Sequence, residues 1–258
     1  MSGQPPGRPL QPGLGPEPVA PGGAAERYLS IVSERLSEAA DANRESLPAA
    51  ARMLADTVAA DGIVHVFGAG HSQLLALELS GRAGGLAAVD VIYDPAWGAA
   101  EAVEGYAQTL LREVVFGPHD CLVVVSTSGR NAVPVEMALL GRRAGLPIIA
   151  LTSVAASRAA TPRHPSGQRL FELADVVLDS ATLPGDAAVE IRGLAVPTGP
   201  TSTVTGAALL HGAVAGAIEE LVRRGVEPPL LLSNSVPGGP EHNAAIRARY
   251  ARRVRTPI

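Results

Sequence analysis

The chain has 258 residues, enough for one sizeable α/β domain with flanking helices. Its composition, 47% hydrophobic with only 3% aromatic, describes a core of Ala, Val, Leu and Ile, which suits a parallel sheet covered by helices on both faces. A net charge of -4 leaves no basic stripe for nucleic acid, one cysteine excludes an internal disulfide or a multi-cysteine metal cage, and no apolar run reaches a membrane-spanning length.

Residues 1–24 hold seven prolines and six glycines and read as a disordered tail. A stretch of that composition carries neither an apolar signal core nor a DNA-reading helix-turn-helix, so the expectation is a cytoplasmic protein. Residues 25–258 are expected to form a single domain.

An apolar stripe of Tyr28, Leu29, Ile31, Val32 and Leu36 predicts a helix continuing to about Leu47, and Pro48 opens a second helix to Ala60. IVHVFGAGHS (residues 63–72) then runs a hydrophobic strand into a glycine turn and a helix start, with the helix over 73–82. AAVDVI (residues 87–92) is a second strand. Residues 93–99 form a loop, and 100–115 read as a helix carrying Glu101, Glu104 and Glu113. CLVVVSTSGRN (residues 121–131) repeats the strand-turn-helix pattern, with its helix over 131–144 and a buried strand at 146–152. DVVLD (residues 175–179) reads as an edge strand, and 183–203 as a long irregular loop. Residues 204–224 form the longest apolar helix, expected to be buried all round with His211 as its polar exception, and the chain closes in a basic helix. Strands alternating with helices across short connections indicate a doubly wound parallel sheet.

The two glycine-bearing turns carry the functional signal. A strand, a tight glycine turn and a helix start aim backbone N–H groups at an anion. Gly70 and Gly129 permit close backbone approach. Ser72, Ser126, Thr127 and Ser128 add hydroxyls, and His71, Arg130 and Asn131 add further donors. The pattern contains no lysine and no GxxxxGK[ST], and GAGHS lacks the third glycine of the dinucleotide fingerprint.

These positions resemble the sugar isomerase (SIS) domain family, which binds phosphosugars with a GxGxS loop after the first strand and an SxSGxS/T loop after a later one. The matching residues are Gly68, Gly70 and Ser72, then Ser126, Ser128 and Gly129, with Asn131 where many relatives have Ser or Thr. The likeness extends over most of residues 25–253 through VFGAGHS, SGRNAVP, TPRHPSG, DAAVEI, GPTST and GGPEHN, and is similar to the UPF0309 subfamily, whose name states no reaction. It implies a three-layer, flavodoxin-like sheet of about five parallel strands with N-terminal helices, and a sugar phosphate as ligand.

Family enzymes begin by removing the proton at sugar C2, which needs a carboxylate or histidine base. Glu78 resembles the glutamate of the EELTGR segment in sedoheptulose 7-phosphate isomerase, and His211 the histidine of that enzyme's final helix. AVEGYA around Glu104 is similar to VEGAED of N-acetylmuramic acid 6-phosphate etherase, with Glu101 on the same expected helix face. Thr201 and Ser202 lie in TGPTSTVTGAA, which resembles the etherase's TGSTRLKAGTA without a gap. Glu241 and His242 follow a double glycine at a helix start, within reach of a site formed between subunits. The resemblance tilts the expectation toward elimination from C3 of an amino-sugar 6-phosphate, with aldose–ketose isomerisation and non-catalytic sensing as alternatives. No metal or cofactor is expected. The surplus of apolar helix surface predicts a homodimer or higher homo-oligomer.

Overall fold

The computed structural model describes residues 23–255, so residues 1–22 of the stretch expected to be a tail lie outside the described residues, and Ala24, placed in that stretch by the sequence, instead opens the first helix. Five parallel strands, β1 (Val64–Gly68), β2 (Val89–Ile92), β3 (Cys121–Val125), β4 (Ile148–Thr152) and β5 (Val176–Asp179), stand in the order β2-β1-β3-β4-β5. That is the flavodoxin-like doubly wound order, and β5 is an edge as expected. The order reverses between β1 and β3, the point at which such sheets hold ligands beyond their carboxyl ends.

The strands are apolar at consecutive positions because both faces are covered. Val64 and Val66 of β1, Val123 and Val125 of β3, and Ile149 and Leu151 of β4 pack into one layer with α2 (Ser46–Ala59), α3 (Ser72–Leu79) and α7 (Ser202–Arg223). Phe67, Leu122, Val124, Ile148 and Ala150 pack into the opposite layer with α5 (Ala132–Arg143). Each fully buried Val, Leu or Ile contributes roughly 1.5–3 kcal/mol by removing apolar surface from water.

Several boundaries differ from expectation for identifiable reasons. Helix α1 (Ala24–Ala42) stops five residues short of Leu47. Asn43 breaks it there, because its buried amide clasps β5: Oδ1 accepts from the Asp179 N–H at 2.8 Å and Nδ2 donates to the Asp179 carbonyl at 2.7 Å. The helix expected over 100–115 is reduced to α4 (Tyr106–Leu110), preceded by turns. Gly105, at φ 80°, stops it from extending backward, and the Glu136 carboxylate takes the Gly105 N–H at 2.6 Å in place of a preceding turn. Glu101 and Glu104 therefore share no helix face. The irregular stretch 183–203 contains a short antiparallel hairpin, β6 (Ala187–Val189) with β7 (Thr198–Pro200).

The long α7 packs against α3 at Gly206, where a Cβ would stand 2.7 Å from Leu75 Cδ1. Within one chain its burial is one-sided rather than all-round: Leu209, Leu210, Ala213 and Leu221 are buried, while Val204 and Val222 remain exposed. Between β4 and β5 lie α6 (Val154–Ala159) and a 3-10 turn at Leu170–Glu172. The last helix, α8 (Gly239–Tyr250), leads into a segment that returns to the amino end of the sheet.

That return is fixed by charge. His65, at the second residue of β1, is buried between two buried carboxylates, with Nε2 3.0 Å from Asp120 and Nδ1 3.5 Å from Asp90. Arg253 closes on Asp120 at 2.6 Å and Arg255 on Asp90 at 2.9 Å, so cations from the chain's end compensate both acids. Burial by itself would lower the His65 pKa, but the hydrogen bonds and charges of Asp120 and Asp90 outweigh it and hold it above the ordinary histidine value. A raised folded pKa means that the stabilisation is complete below the unfolded value near 6.5 and is lost as pH rises through the folded value. His65→Gln is expected to cost about 2 kcal/mol of unfolding free energy at pH 6. The difference from wild type should narrow as pH rises through the folded pKa. Urea unfolding of both proteins across pH 6–9 measures this, and a gap independent of pH would remove the imidazolium from the network.

Candidate functional site

The carboxyl ends of β1 and β3 are neighbours, with Gly68 opposite Val125 in the parallel register. From Gly68 the chain turns through Ala69, Gly70 and His71 into α3, and Gly70 sits at φ 56°. The first-turn amides Ser72 and Gln73 close onto Ala69 and Gly70 carbonyls, while those of Gly70 and His71 donate to no acceptor among the described residues. From Val125 the chain runs through residues 126–131 into α5, with Gly129 also at φ 56°. Here Gly129 N–H donates to Ser126 Oγ at 3.2 Å, and the amides of Thr127, Ser128, Arg130 and Asn131 have no acceptor among the described residues. Two adjacent turns thus present unpaired N–H groups at helix starts, the arrangement that favours an anion.

Carbonyls of the second turn are held from behind. Thr127 C=O accepts from Ser153 N–H at 3.0 Å and Thr152 Oγ1 at 3.1 Å, Gly129 C=O from Leu170 N–H at 2.8 Å, and Arg130 C=O from Arg163 N–H at 2.9 Å. With its carbonyls tied back, the turn leaves its amides facing the opposite way. A Cβ at Gly129 would lie 3.0 Å from Thr152 Oγ1 and 3.2 Å from Leu170, so the turn is packed as tightly as glycine allows.

The expected ligand residues divide. Ser72, Thr127 and Ser128 are half-buried with free hydroxyls, and His71 is exposed beside them. Asn131 is not free: its Nδ2 donates to Glu101 Oε1, and its Oδ1 accepts from Arg163 at 3.1 Å. Its backbone N–H remains for an anion. Arg130 and Arg163 bring positive charge to this turn.

Glu78 and His211, distant in sequence, meet across α3 and α7, with His211 Nε2 3.2 Å from Glu78 Oε1 and Arg82 2.7 Å from the same carboxylate. Glu78 and Arg82 are one helical turn apart in sequence, and Glu78 lies six residues beyond Ser72, about 9 Å if the helix is regular. Glu101 lies against the second loop, its backbone carbonyl accepting from Val133 N–H at 3.0 Å. Burial raises its pKa above the usual glutamate value, opposed by the Asn131 hydrogen bond and the Arg163 charge. Glu104 stands exposed in the preceding turn. Glu241 and His242 belong to α8, where His242 Nε2 contacts the Leu230 carbonyl at 3.0 Å, and within one chain they do not join the loops. Among the described residues no group of three or more His, Cys, Asp or Glu side chains is placed to hold a metal ion. No helix among them is long and apolar enough to cross a membrane.

Four residues escaped sequence reading. Asp94 is buried, and its carboxylate accepts from Ala96 N–H at 2.9 Å, Gly98 N–H at 2.8 Å and Tyr106 OH at 3.0 Å, while its own N–H reaches Gln73 Oε1 at 2.6 Å. Asp94 and Gln73 thereby lock the loop after β2 against the first glycine turn. An Asp-Pro pair followed by glycine is the only local hint of such a turn. Arg163 is the third, unmarked in a polar loop. The fourth is Asp186, at φ 62°, whose carboxylate takes the amides of Thr201 at 3.0 Å and Ser202 at 2.8 Å and the Ser202 hydroxyl at 2.6 Å.

Thr201 and Ser202, expected to touch substrate, are thus engaged by an internal carboxylate that caps the amino end of α7. Asp186→Ala is expected to lower unfolding free energy by about 1–2 kcal/mol, the usual loss for a helix cap. Denaturant titration measures it. An unchanged midpoint would return Thr201 and Ser202 to the pool of ligand donors.

Comparison with known proteins agrees with this architecture. The SIS domain family matches residues 27–153. A UPF0309 protein of Listeria monocytogenes is 38% identical over 227 residues, covering 88% of this chain and 97% of its own. Phosphoheptose isomerase from Neisseria gonorrhoeae superposes with a TM-score of 0.52 at 19% identity, covering 76% of this chain and 97% of its own. The Vibrio vulnificus NanR protein, solved with ManNAc-6P, superposes with a TM-score of 0.51 at 15% identity, covering 92% of this chain and 72% of its own. At those identities the two structures speak for the fold. The sequence relative speaks for descent: the chain is a SIS-domain protein and belongs to the UPF0309 family.

Proposed function

We propose that this SIS domain binds a phosphosugar at the β1–β3 switch point and transfers a proton at sugar C2. The observation that carries the reading is the pair of glycine turns leaving neighbouring strand ends with their amides unpaired. Ser72, Thr127 and Ser128 add hydroxyls and Arg130 adds charge, a donor set that suits a phosphate dianion. The same ligand class is named for the two structural neighbours, one an isomerase and one a complex with an amino-sugar phosphate.

Glu78 and His211 supply the chemistry in this reading. Glu78 takes the C2 proton of the open-chain sugar, giving an enediol, and returns it to C1, while His211 moves a proton between O1 and O2. The net change is aldose to ketose, with nothing lost. Their 3.2 Å contact pairs an acid with a base, which serves isomerisation and the elimination expected from sequence alike. Elimination from C3 of an amino-sugar 6-phosphate remains the second reading, on the likeness of residues 198–208 to the etherase segment. The Asp186 cap weakens that likeness, since it engages the donors the segment would offer. Pairing of two copies over the exposed side of α7 belongs to the same proposal, and sedimentation at micromolar concentration reads it.

Incubation in deuterated water with N-acetylglucosamine 6-phosphate and sedoheptulose 7-phosphate separates the readings. Ketose or aldose labelled at the new C–H position supports isomerisation, loss of water to an unsaturated product supports elimination, and saturable binding without label exchange leaves a sensor. Glu78→Gln is expected to lower exchange at least about 100-fold while binding persists. Ser128→Ala is expected to weaken phosphosugar binding at least about tenfold by calorimetry, the loss of one hydrogen bond to a charged group. Unchanged affinity would take that serine out of the site.

A further inference from the structure

Trp97 is the chain's one tryptophan, in a protein with only 3% aromatic residues, and half of it is exposed. Its backbone lies at φ 49°, in the left-handed region that bulky residues avoid unless surrounding contacts impose it. Those contacts are specific. Asp94 holds the amides on either side, Ala96 at 2.9 Å and Gly98 at 2.8 Å. Gly98 in turn lies so close to Gly70 that a Cβ on it would stand 2.8 Å from the Gly70 N and Cα atoms. The Trp97 carbonyl is 3.7 Å from the position a Cβ on Gly70 would occupy. The strained tryptophan is therefore anchored, backbone to backbone, on the first anion-binding turn.

Its side chain is also prepared. The indole Nε1–H donates to Tyr93 OH at 3.1 Å, and the rings meet edge to face at 6.3 Å and 90°. Tyr93 is itself 48% exposed. With the indole's polar atom engaged internally, the exposed half of the ring offers carbon surface, and the Tyr93 hydroxyl proton is left to donate. A hexose derivative matches that pairing: one face of C–H bonds, edged by hydroxyl or acetamido acceptors.

We propose that Trp97 and Tyr93 form a sugar-recognition platform beside the Gly70 turn, the indole stacking on the C–H face of a phosphosugar and the Tyr93 O–H donating to its rim. This rests on the phosphosugar reading above. The platform selects the sugar, and the two glycine turns hold the phosphate.

Because Trp97 is the only tryptophan, its emission reports the platform directly in the unmodified full chain. N-Acetylglucosamine 6-phosphate, glucose 6-phosphate, sedoheptulose 7-phosphate and inorganic phosphate are titrated, with calorimetry in parallel. The expected result is a saturable change in emission with at least one sugar phosphate. Inorganic phosphate should compete with that sugar and leave emission unchanged by itself. Trp97→Gly, which removes the ring and relieves the backbone strain, should weaken sugar-phosphate binding roughly tenfold and leave inorganic phosphate affinity unaltered. Trp97→Phe should stay within about threefold of wild type. Calorimetric binding of a sugar phosphate with no change in emission, and equal affinity in Trp97→Gly, would overturn the platform while leaving the phosphosugar reading intact. Emission that follows protein concentration and ignores sugar would assign the aromatic pair to a subunit contact and overturn it likewise. Absence of calorimetric binding for every sugar phosphate would remove the phosphosugar reading and the platform together.

Discussion

At the carboxyl end of β1, three stretches of backbone pack where side chains have no room. A Cβ on Gly68 would collide with the backbone of Ser72 and Gln73 in the first turn of α3, and one on Gly98 with Gly70. Glycine at these positions lets the helix start fold directly over the strand end and lets the loop after β2 close on the turn from the other side. The unpaired amides of Gly70 and His71, the direction of α3 and the position of Trp97 all follow from that approach. On the neighbouring strand Gly129 serves the same end, wedged between Thr152, Ser157 and Leu170.

Polar side chains away from the ligand surface keep this arrangement in place. Asp94 and Gln73 brace the first turn from the β2 side, while Thr152, Ser153 and Arg163 draw back the carbonyls of the second. Glu101 and Asn131 hold one another at the start of α5. At the opposite end of the sheet, His65, Asp90 and Asp120 tie the chain's last described residues to β1 through Arg253 and Arg255. The molecule thus separates a charge-locked amino end from a carboxyl end where two glycine turns leave amides unpaired.

The sheet and both turns were legible in the sequence because their determinants are local: runs such as CLVVV, and glycines at positions that must adopt positive φ. The edge strand and α7 were legible for the same reason. What sequence missed is decided by contacts over long separations. Residues 100–105 have helix-forming composition, yet Glu101 is drawn to α5 and Gly105 to Glu136, and tertiary pairing overrides propensity. Thr201 and Ser202 resemble ligand donors until Asp186, fifteen residues earlier, folds back onto them. Conversely, Glu78 and His211 were each singled out alone, and their contact across 133 residues became visible only in the fold.

The central claim is that the two turns act as one phosphate site, and amide NMR of the isotopically labelled full chain titrated with a sugar 6-phosphate tests it most directly. The account predicts that the amides of Gly70 and His71, and of Thr127, Ser128, Arg130 and Asn131, shift together and saturate with a single dissociation constant. Shifts confined to one turn, or centred on Thr201 and Ser202 at the start of α7, would contradict it.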